Sequence, residues 1–281
     1  MELAGRTAVV TGSGSGIGRG MALAFAEARM SLVLADLDTN AARRVAEEVR
    51  RLGTRALVVE TDVGSRASVE ALAEAAYALT GEVHLLCNNA GVTTFGTLGE
   101  IPYDDWRWVL QVNLFGVIHG LQSFLPRMRT QRGPKHVVNT ASIAGCAGLP
   151  GLAAYCASKH AVVGISETLA REGAAWGLGC TVVCPGNTHT RIAESERNRP
   201  PEMGERRPTA DVVKQTIATG MDPIVVGQIV RRAVVDGDLF VFTHPESRAL
   251  VEGRSQALLA AIEKAELRAP SEPLAPDAQR P

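Results

Sequence analysis

The 281-residue sequence predicts an α/β fold in one domain, a doubly wound parallel sheet of about seven strands with helices on both faces. Two observations lead to it. Short β-rich runs alternate with longer Ala/Leu/Arg/Glu segments from the start of the chain to about residue 245, the order that builds βαβ units. Several of the short runs are unbroken in apolar residues, as strands covered on both faces should be.

Taken in order, the strand candidates are Thr7 to Val10, Leu32 to Ala35, Ala56 to Glu60, Val83 to Cys87, His136 to Thr140, Cys180 to Cys184 and Leu239 to Phe242. Helices are expected near Ile17 to Arg29, Asn40 to Leu52, Arg66 to Leu79, Tyr103 to Gln131, Tyr155 to Trp176 and Pro223 to Asp236. Right-handed crossovers would join them into the doubly wound sheet. The domain is placed at residues 1–268. Within it, Thr190 to Gly220 is polar and weakly patterned, so it reads as a substrate lid near 190–220, with the charges of "ESERNRPPE" on its outer face. The proline-rich tail, 269–281, is expected to be disordered.

Composition narrows the function. With 29 basic and 30 acidic residues and a net charge of -1, no global field draws nucleic acid or an anionic membrane. The start "MELAGRTAVV" has no basic region followed by a long apolar stretch, and no run approaches 18 uninterrupted apolar residues, so a soluble, cytoplasmic protein is expected. Five cysteines (Cys87, Cys146, Cys156, Cys180 and Cys184) without C-x-x-C spacing argue against a disulfide framework and a zinc site. The six histidines are scattered singly, so no metal is expected, and His189 reads as a core or surface residue. Only four of the basic residues are lysines (Lys135, Lys159, Lys214 and Lys264), which makes each of them a candidate.

The string "TGSGSGIG" at 11–18 sits between a strand candidate and a helix candidate. There the backbone N–H groups of the loop and the helix N-terminus can hold a pyrophosphate. Gly12 allows the tight turn, Gly16 the close approach to the ligand and Gly18 the packing of helix on strand, with Ser15 and Ile17 in the same loop. Eighteen residues after Gly18, at the end of "LVLAD", Asp36 can accept the ribose hydroxyls of an adenosine and repel a 2′-phosphate. NAD is therefore favoured over NADP. Further on, Tyr155 and Lys159 are i and i+4 on a helix candidate and share one face. An ammonium beside a phenol stabilises the phenolate, so the tyrosine pKa should fall from about 10 toward working pH, as a general acid/base needs. Ser142, two residues past "HVVNT", sits at the carboxyl end of the sheet and can hydrogen-bond a reacting oxygen.

The spacing T-G-x-x-x-G-I-G, with "NNAG" at 88–91, Val112-Asn113, Ser142, "YCASK" at 155–159 and "PGNTHT" from Pro185, resembles the short-chain dehydrogenase/reductase family over roughly residues 4–245. The resemblance implies a Rossmann-type sheet and catalysis by Ser142, Tyr155 and Lys159, with Asn113 holding a water that links Lys159 to solvent. It further implies cofactor contacts at Asp62, Val63, Asn89, Ala90, Gly91, Tyr155, Lys159, Pro185, Gly186, Thr188 and Thr190. Two positions depart from the family pattern: Thr188 stands where valine is usual, and Ala141 where a second serine is frequent.

Substrate is expected in the loops Thr93 to Gly96, Ile143 to Leu152 and Thr190 to Gly220. The first two are largely apolar, which points to a hydrophobic secondary alcohol or ketone against Ser142, Phe95, Leu149 and Tyr155. "YDDWRWVLQVNLFGVIHG", "RIAESERNRP" and "FVFTHPESR" resemble members that oxidise benzylic or cyclic alcohols, such as aryl-ether Cα-dehydrogenases and terpenoid alcohol dehydrogenases. Family analogy also implies a homodimer or homotetramer through the segments around 103–131 and 155–176. Two other functions stay open: NADPH-dependent ketone reduction on the same fold, and a non-catalytic dinucleotide sensor.

Overall fold

The computed structural model describes residues 1–268; the expected disordered tail lies outside the described residues. In chain order the elements are β1 (Thr7–Thr11), α1 (Gly16–Glu27), β2 (Ser31–Asp36), α2 (Thr39–Arg51), β3 (Ala56–Glu60), α3 (Arg66–Thr80), β4 (Leu85–Asn88), α4 (Tyr103–Leu110) and α5 (Gly116–Thr130). There follow β5 (Lys135–Thr140), α6 (Ala153–Ala174), β6 (Leu178–Cys184), α7 (Asp211–Ala218), α8 (Pro223–Asp236), β7 (Phe240–Phe242) and α9 (Arg248–Arg268).

All seven strands are parallel, in the order β3-β2-β1-β4-β5-β6-β7. The strand order reverses between β1 and β4, and a cleft opens at the carboxyl ends there. Side-chain alternation supplies both faces of the sheet. Ala8, Val10, Leu32, Leu34, Leu85 and Cys87 pack with Met21 and Phe25 of α1, Val45 and Val49 of α2 and Val226 and Val230 of α8. Val9, Val33, Leu86, Val137 and Val182 pack on the other side with Leu72 of α3, Phe124 and Met128 of α5 and Leu169 of α6. Strands clothed on both sides need no polar residues, which explains their unbroken apolar runs.

Local chemistry sets the helix ends. Asp38 accepts the Ala41 N–H at 2.9 Å to start α2, and Asp222, followed by Pro223, accepts the Ile224 N–H at 2.8 Å to start α8. Gly81 and Gly237, both left-handed, end α3 and α8.

Three expectations need correction. The helix placed at Tyr103 to Gln131 is broken by a five-residue π-helical turn, Gln111–Phe115, which re-aims Asn113. The whole segment is long and apolar enough by composition to cross a bilayer, yet Trp108, Val109, Phe124 and Met128 are buried in the protein, as in a core helix. The lid is structured, with 3-10 turns at Arg191–Asn198 and Pro201–Met203 before α7. Beyond the expected elements, α9 runs from Arg248 and leaves Leu250, Leu258, Leu259 and Ile262 exposed.

Candidate active site

One cavity of about 460 Å³ runs along the carboxyl ends of the strands and under the lid. Its first part is lined by Gly12, Ser15, Gly16, Ile17, Asp36, Asp62 and Val63. Gly16 has φ +52°, and a Cβ there would lie 2.9 Å from Thr190 Cγ2, so only glycine lets the loop pass beneath the lid. Gly18 lies behind the loop: a Cβ on it would come within 2.0 Å of the Gly12 carbonyl oxygen, so it serves helix packing and does not line the cavity. The α1 N-cap, Ser15, makes no side-chain cap hydrogen bond, leaving the first-turn N–H groups without that partner. These features fit a bound pyrophosphate.

Asp36 accepts the Gly14 N–H on Oδ2 (2.8 Å) and the Asp38 N–H on Oδ1 (2.9 Å). Burial raises its pKa, and those two N–H groups pull it back. Asp62 accepts the Gly64 N–H at 2.8 Å, which closes a tight turn on the cavity wall. Ala90 and Gly91 line the cavity, as does Asn89, whose amide is also engaged by the sheet. Its Nδ2 donates to the Thr11 carbonyl at 2.9 Å, and its Oδ1 accepts from the Thr140 hydroxyl at 3.2 Å. Thr11 Oγ1 accepts the backbone N–H groups of Asn89 and Ala90.

Deeper in the cavity the structure brings Ser142, Tyr155 and Lys159 together. β5 delivers Ser142, whose hydroxyl caps the start of the single 3-10 turn Ile143–Gly145 by accepting the Ala144 N–H at 3.1 Å. α6 delivers the other two, one turn apart. Lys159 Nζ lies 5.5 Å from the centroid of the Tyr155 ring and donates to the Thr140 carbonyl at 2.8 Å.

The expected fall of the tyrosine pKa is not what the site has. Burial pushes Tyr155 up to about 12, against a downward pull from a hydrogen bond with the Ser142 hydroxyl. Burial likewise pushes Lys159 down to about 8. The cost of placing either charge in a low-dielectric pocket outweighs the attraction expected between them.

Asn113, fully buried, does not line the cavity. Its Oδ1 accepts the Val92 N–H at 2.8 Å, and its Nδ2 donates to the Val92 carbonyl (2.9 Å) and to Ser158 Oγ (3.1 Å). The side chain therefore clamps the Val92 loop. A Cβ on Gly91 would stand 3.3 Å from Asn113 Oδ1 and 3.5 Å from Lys159 Nζ, so both groups converge on the backbone at Gly91.

Pro185, Gly186, Thr188 and Thr190 line the far wall. Thr188 Oγ1 donates to the Gly186 carbonyl at 3.3 Å. His244, which lies in "FVFTHPESR" but is not assigned a role from the sequence, holds this loop. The Gly186 N–H donates to its Nδ1 (3.0 Å), which leaves Nε2 to carry the proton donated to the Asn187 carbonyl (2.8 Å). His189 is exposed and does not line the cavity.

The substrate end differs most from expectation. Phe95 and Leu149 do not line the cavity; the loops that carry them pair with each other, Gly96 N–H donating to the Gly151 carbonyl at 3.0 Å. The apolar wall comes from Val92, Trp108, Val112, Ile192, Met203 and Ile217. The lid charges also do not all face outward. Arg199 is buried, donating to Asp105 Oδ1 (2.6 Å), Glu196 Oε2 (2.7 Å) and the Met203 carbonyl (2.6 Å). Arg207 pairs with the other oxygen of Asp105. The Arg199 guanidinium lies 4.5 Å from the Trp108 ring centroid, so α4, the lid and the wall tryptophan are one assembly. Among the described residues, no cluster of three or more His, Cys, Asp or Glu could hold a metal.

Comparison with known proteins places this arrangement. The family model described as short chain dehydrogenase matches residues 6–201. A short-chain dehydrogenase/reductase from Burkholderia phymatum, solved in complex with NAD, superposes with a TM-score of 0.87 at 38% identity, covering 98% of this chain and 99% of that one. A C alpha-dehydrogenase from Sphingobium sp. is 31% identical over 92% of this chain and 86% of its own length. A 3beta-hydroxysteroid dehydrogenase 2 from Eggerthella lenta is 39% identical over 74% of this chain and 80% of its own. Sheet order, glycine loop and family match agree, and the chain belongs to the short-chain dehydrogenase family of oxidoreductases.

Proposed function

We propose that the chain is an NAD-dependent dehydrogenase that interconverts a hydrophobic secondary alcohol and its ketone. One observation carries the reading: a single cavity joins the Asp36 carboxylate and the glycine loop to Ser142, Tyr155 and Lys159, then continues against the apolar wall of Trp108, Val112 and Met203. The hydroxysteroid and Cα substrates in the names of its relatives support that substrate class. The loop at Gly12–Gly18 would hold the pyrophosphate and Asp36 the adenosine ribose, with Asp62, Val63, Ala90 and Gly91 beside them and Thr190 near the nicotinamide. NAD, when bound, supplies the carbon that accepts hydride.

The chain's own residues handle the rest. The Ser142 hydroxyl donates to the substrate oxygen and fixes its position. In the phenolate–ammonium form of the pair, Tyr155 takes the hydroxyl proton as hydride leaves carbon and becomes the neutral phenol; Lys159 provides the positive charge that stabilises the phenolate beforehand. Asn113, by clamping Val92 beside Gly91, supports the route by which Lys159 exchanges protons with solvent. A homodimer or homotetramer is part of the same reading, supported by the exposed apolar residues of α9 and by Phe115 at the end of the π-helical turn. Sedimentation would test it.

The coupled pair predicts a pH profile. Because Tyr155 titrates at about 12 and Lys159 at about 8, the pair loses its first proton near pH 8. Oxidation needs the deprotonated pair. Its kcat/KM should therefore rise with pH through an apparent pKa near 8 and then level off, whereas ketone reduction should fall through the same region.

The cofactor choice rests on Asp36. Asp36→Asn keeps an acceptor for the Gly14 N–H and removes the charge. Loss of charge-assisted hydrogen bonds of about 1.5–3 kcal/mol should weaken NAD binding by roughly 10–100-fold and narrow the preference over NADP. Titration of both dinucleotides on parent and variant checks this, and a parent that prefers NADP would refute it. Steady-state assays of benzylic, terpenoid and steroid secondary alcohols with NAD would test the substrate class.

A further inference from the structure

Cys146 follows the 3-10 turn Ile143–Gly145, just after Ser142, and Cys184 ends β6 directly before Pro185. Their Sγ atoms are in thiol–thiol contact at 3.8 Å. Cys184 is fully buried, while Cys146 is partly open to solvent. The segments that carry them are tied to each other, the Ile143 N–H donating to the Pro185 carbonyl at 2.9 Å and the Ala141 N–H to the Val183 carbonyl at 2.8 Å. Of the other free thiols, Cys156 engages the Leu149 backbone, and Cys87 and Cys180 are buried.

We propose that Cys146 and Cys184 form a redox-modification site that a peroxide closes into a disulfide, and that closure disables the cofactor loop and the Ser142 turn. Cys146 is the thiol that meets the oxidant. Its thiolate is favoured first by a hydrogen bond from the Cys184 thiol, with burial opposing and with Arg254 of α9 and Glu167 of α6 acting in opposite directions. The thiolate attacks one peroxide oxygen, the O–O bond breaks, and the Cys146 sulfenic acid and hydroxide form. The Cys184 sulfur then attacks the Cys146 sulfur, the S–O bond breaks, and the thiol proton leaves with the departing hydroxide as water. Two thiols lose two electrons in all, and the peroxide is reduced to two waters.

Closure has a mechanical consequence. The sulfurs must approach from 3.8 Å to about 2.05 Å, roughly 1.8 Å, which side-chain rotation shares with a shift of the turn after Ser142 toward the strand end before Pro185. A misplacement of about 1 Å in a catalytic centre can cost about 100-fold in rate. The loss of function rests on the active-site reading above, whereas the disulfide itself does not.

The full chain should be treated with graded hydrogen peroxide, mapped by non-reducing peptide mass spectrometry and titrated with NADH by fluorescence. The expected result is a Cys146–Cys184 cross-linked peptide, NADH affinity at least tenfold weaker, and recovery on adding dithiothreitol. Cys146→Ser should bind NADH like the untreated parent both before and after peroxide, and Cys156→Ser should remain sensitive. Three results would overturn the proposal: no cross-link between these residues, a cross-link with unchanged NADH affinity, or a Cys146→Ser variant inactivated as the parent is.

Discussion

Tyr155→Phe is expected to lower turnover by about 10²–10⁴-fold, the usual worth of a positioned acid/base, while NADH binds as before. The variant keeps the ring, so the packing around Lys159, 5.5 Å from the ring centroid, survives. What goes is the phenolic oxygen that is proposed to take the substrate proton. Parallel kcat measurement and NADH titration separate the two effects. A variant that turns over like the parent would remove Tyr155 from the mechanism.

Arg199→Ala is expected to produce the largest loss of stability. Arg199 and Asp105 have side chains only 1% exposed, and removing the cation leaves the carboxylate and Glu196 short of their principal partner. Breaking a buried ion pair in this way costs about 3–5 kcal/mol. The lower figure applies, since Arg207 stays on Asp105. At about 2–4 °C per kcal/mol, melting should fall by roughly 6–12 °C. Lost stacking on Trp108 should also loosen the substrate wall, raising KM more than it lowers kcat. Pairing Arg199→Met with Asp105→Leu should restore part of the melting temperature, because the fully buried carboxylate leaves with its cation, the half-exposed Arg207 can turn to solvent, and Glu196 alone, 15% exposed, loses its partner. A single variant that melts within about 1 °C of the parent would show that the lid is not latched.

The framework was legible because its signals are local. Apolar runs mark β1, β2 and β6, the glycine string spans one strand–turn–helix junction and the Tyr155-to-Lys159 spacing lies within one helix, so periodicity and turn chemistry determine side-chain placement. The lid was not legible. Arg199 meets Asp105 across 94 positions and Gly186 meets His244 across 58, and no local pattern encodes such pairings. In "ESERNRPPE" the charges suggested a wet surface, but a buried partner turned Arg199 inward. Loop position and apolar composition both point Phe95 and Leu149 at the substrate, but their loops pair with each other instead. Asn113 was named by family likeness, yet the π-helical turn that aims it at Val92 leaves no mark in an otherwise continuous helical pattern.

NAD-linked oxidation of a bulky secondary alcohol through Tyr155 is tested most directly by following NADH absorbance. Purified chain is mixed with NAD, or separately with NADP, and with benzylic, terpenoid and steroid secondary alcohols. NADH should form with at least one class, several-fold or more above the rate with NADP, and its formation should be abolished by Tyr155→Phe. No NADH from any hydrophobic alcohol, or a faster reaction with NADP, would contradict it.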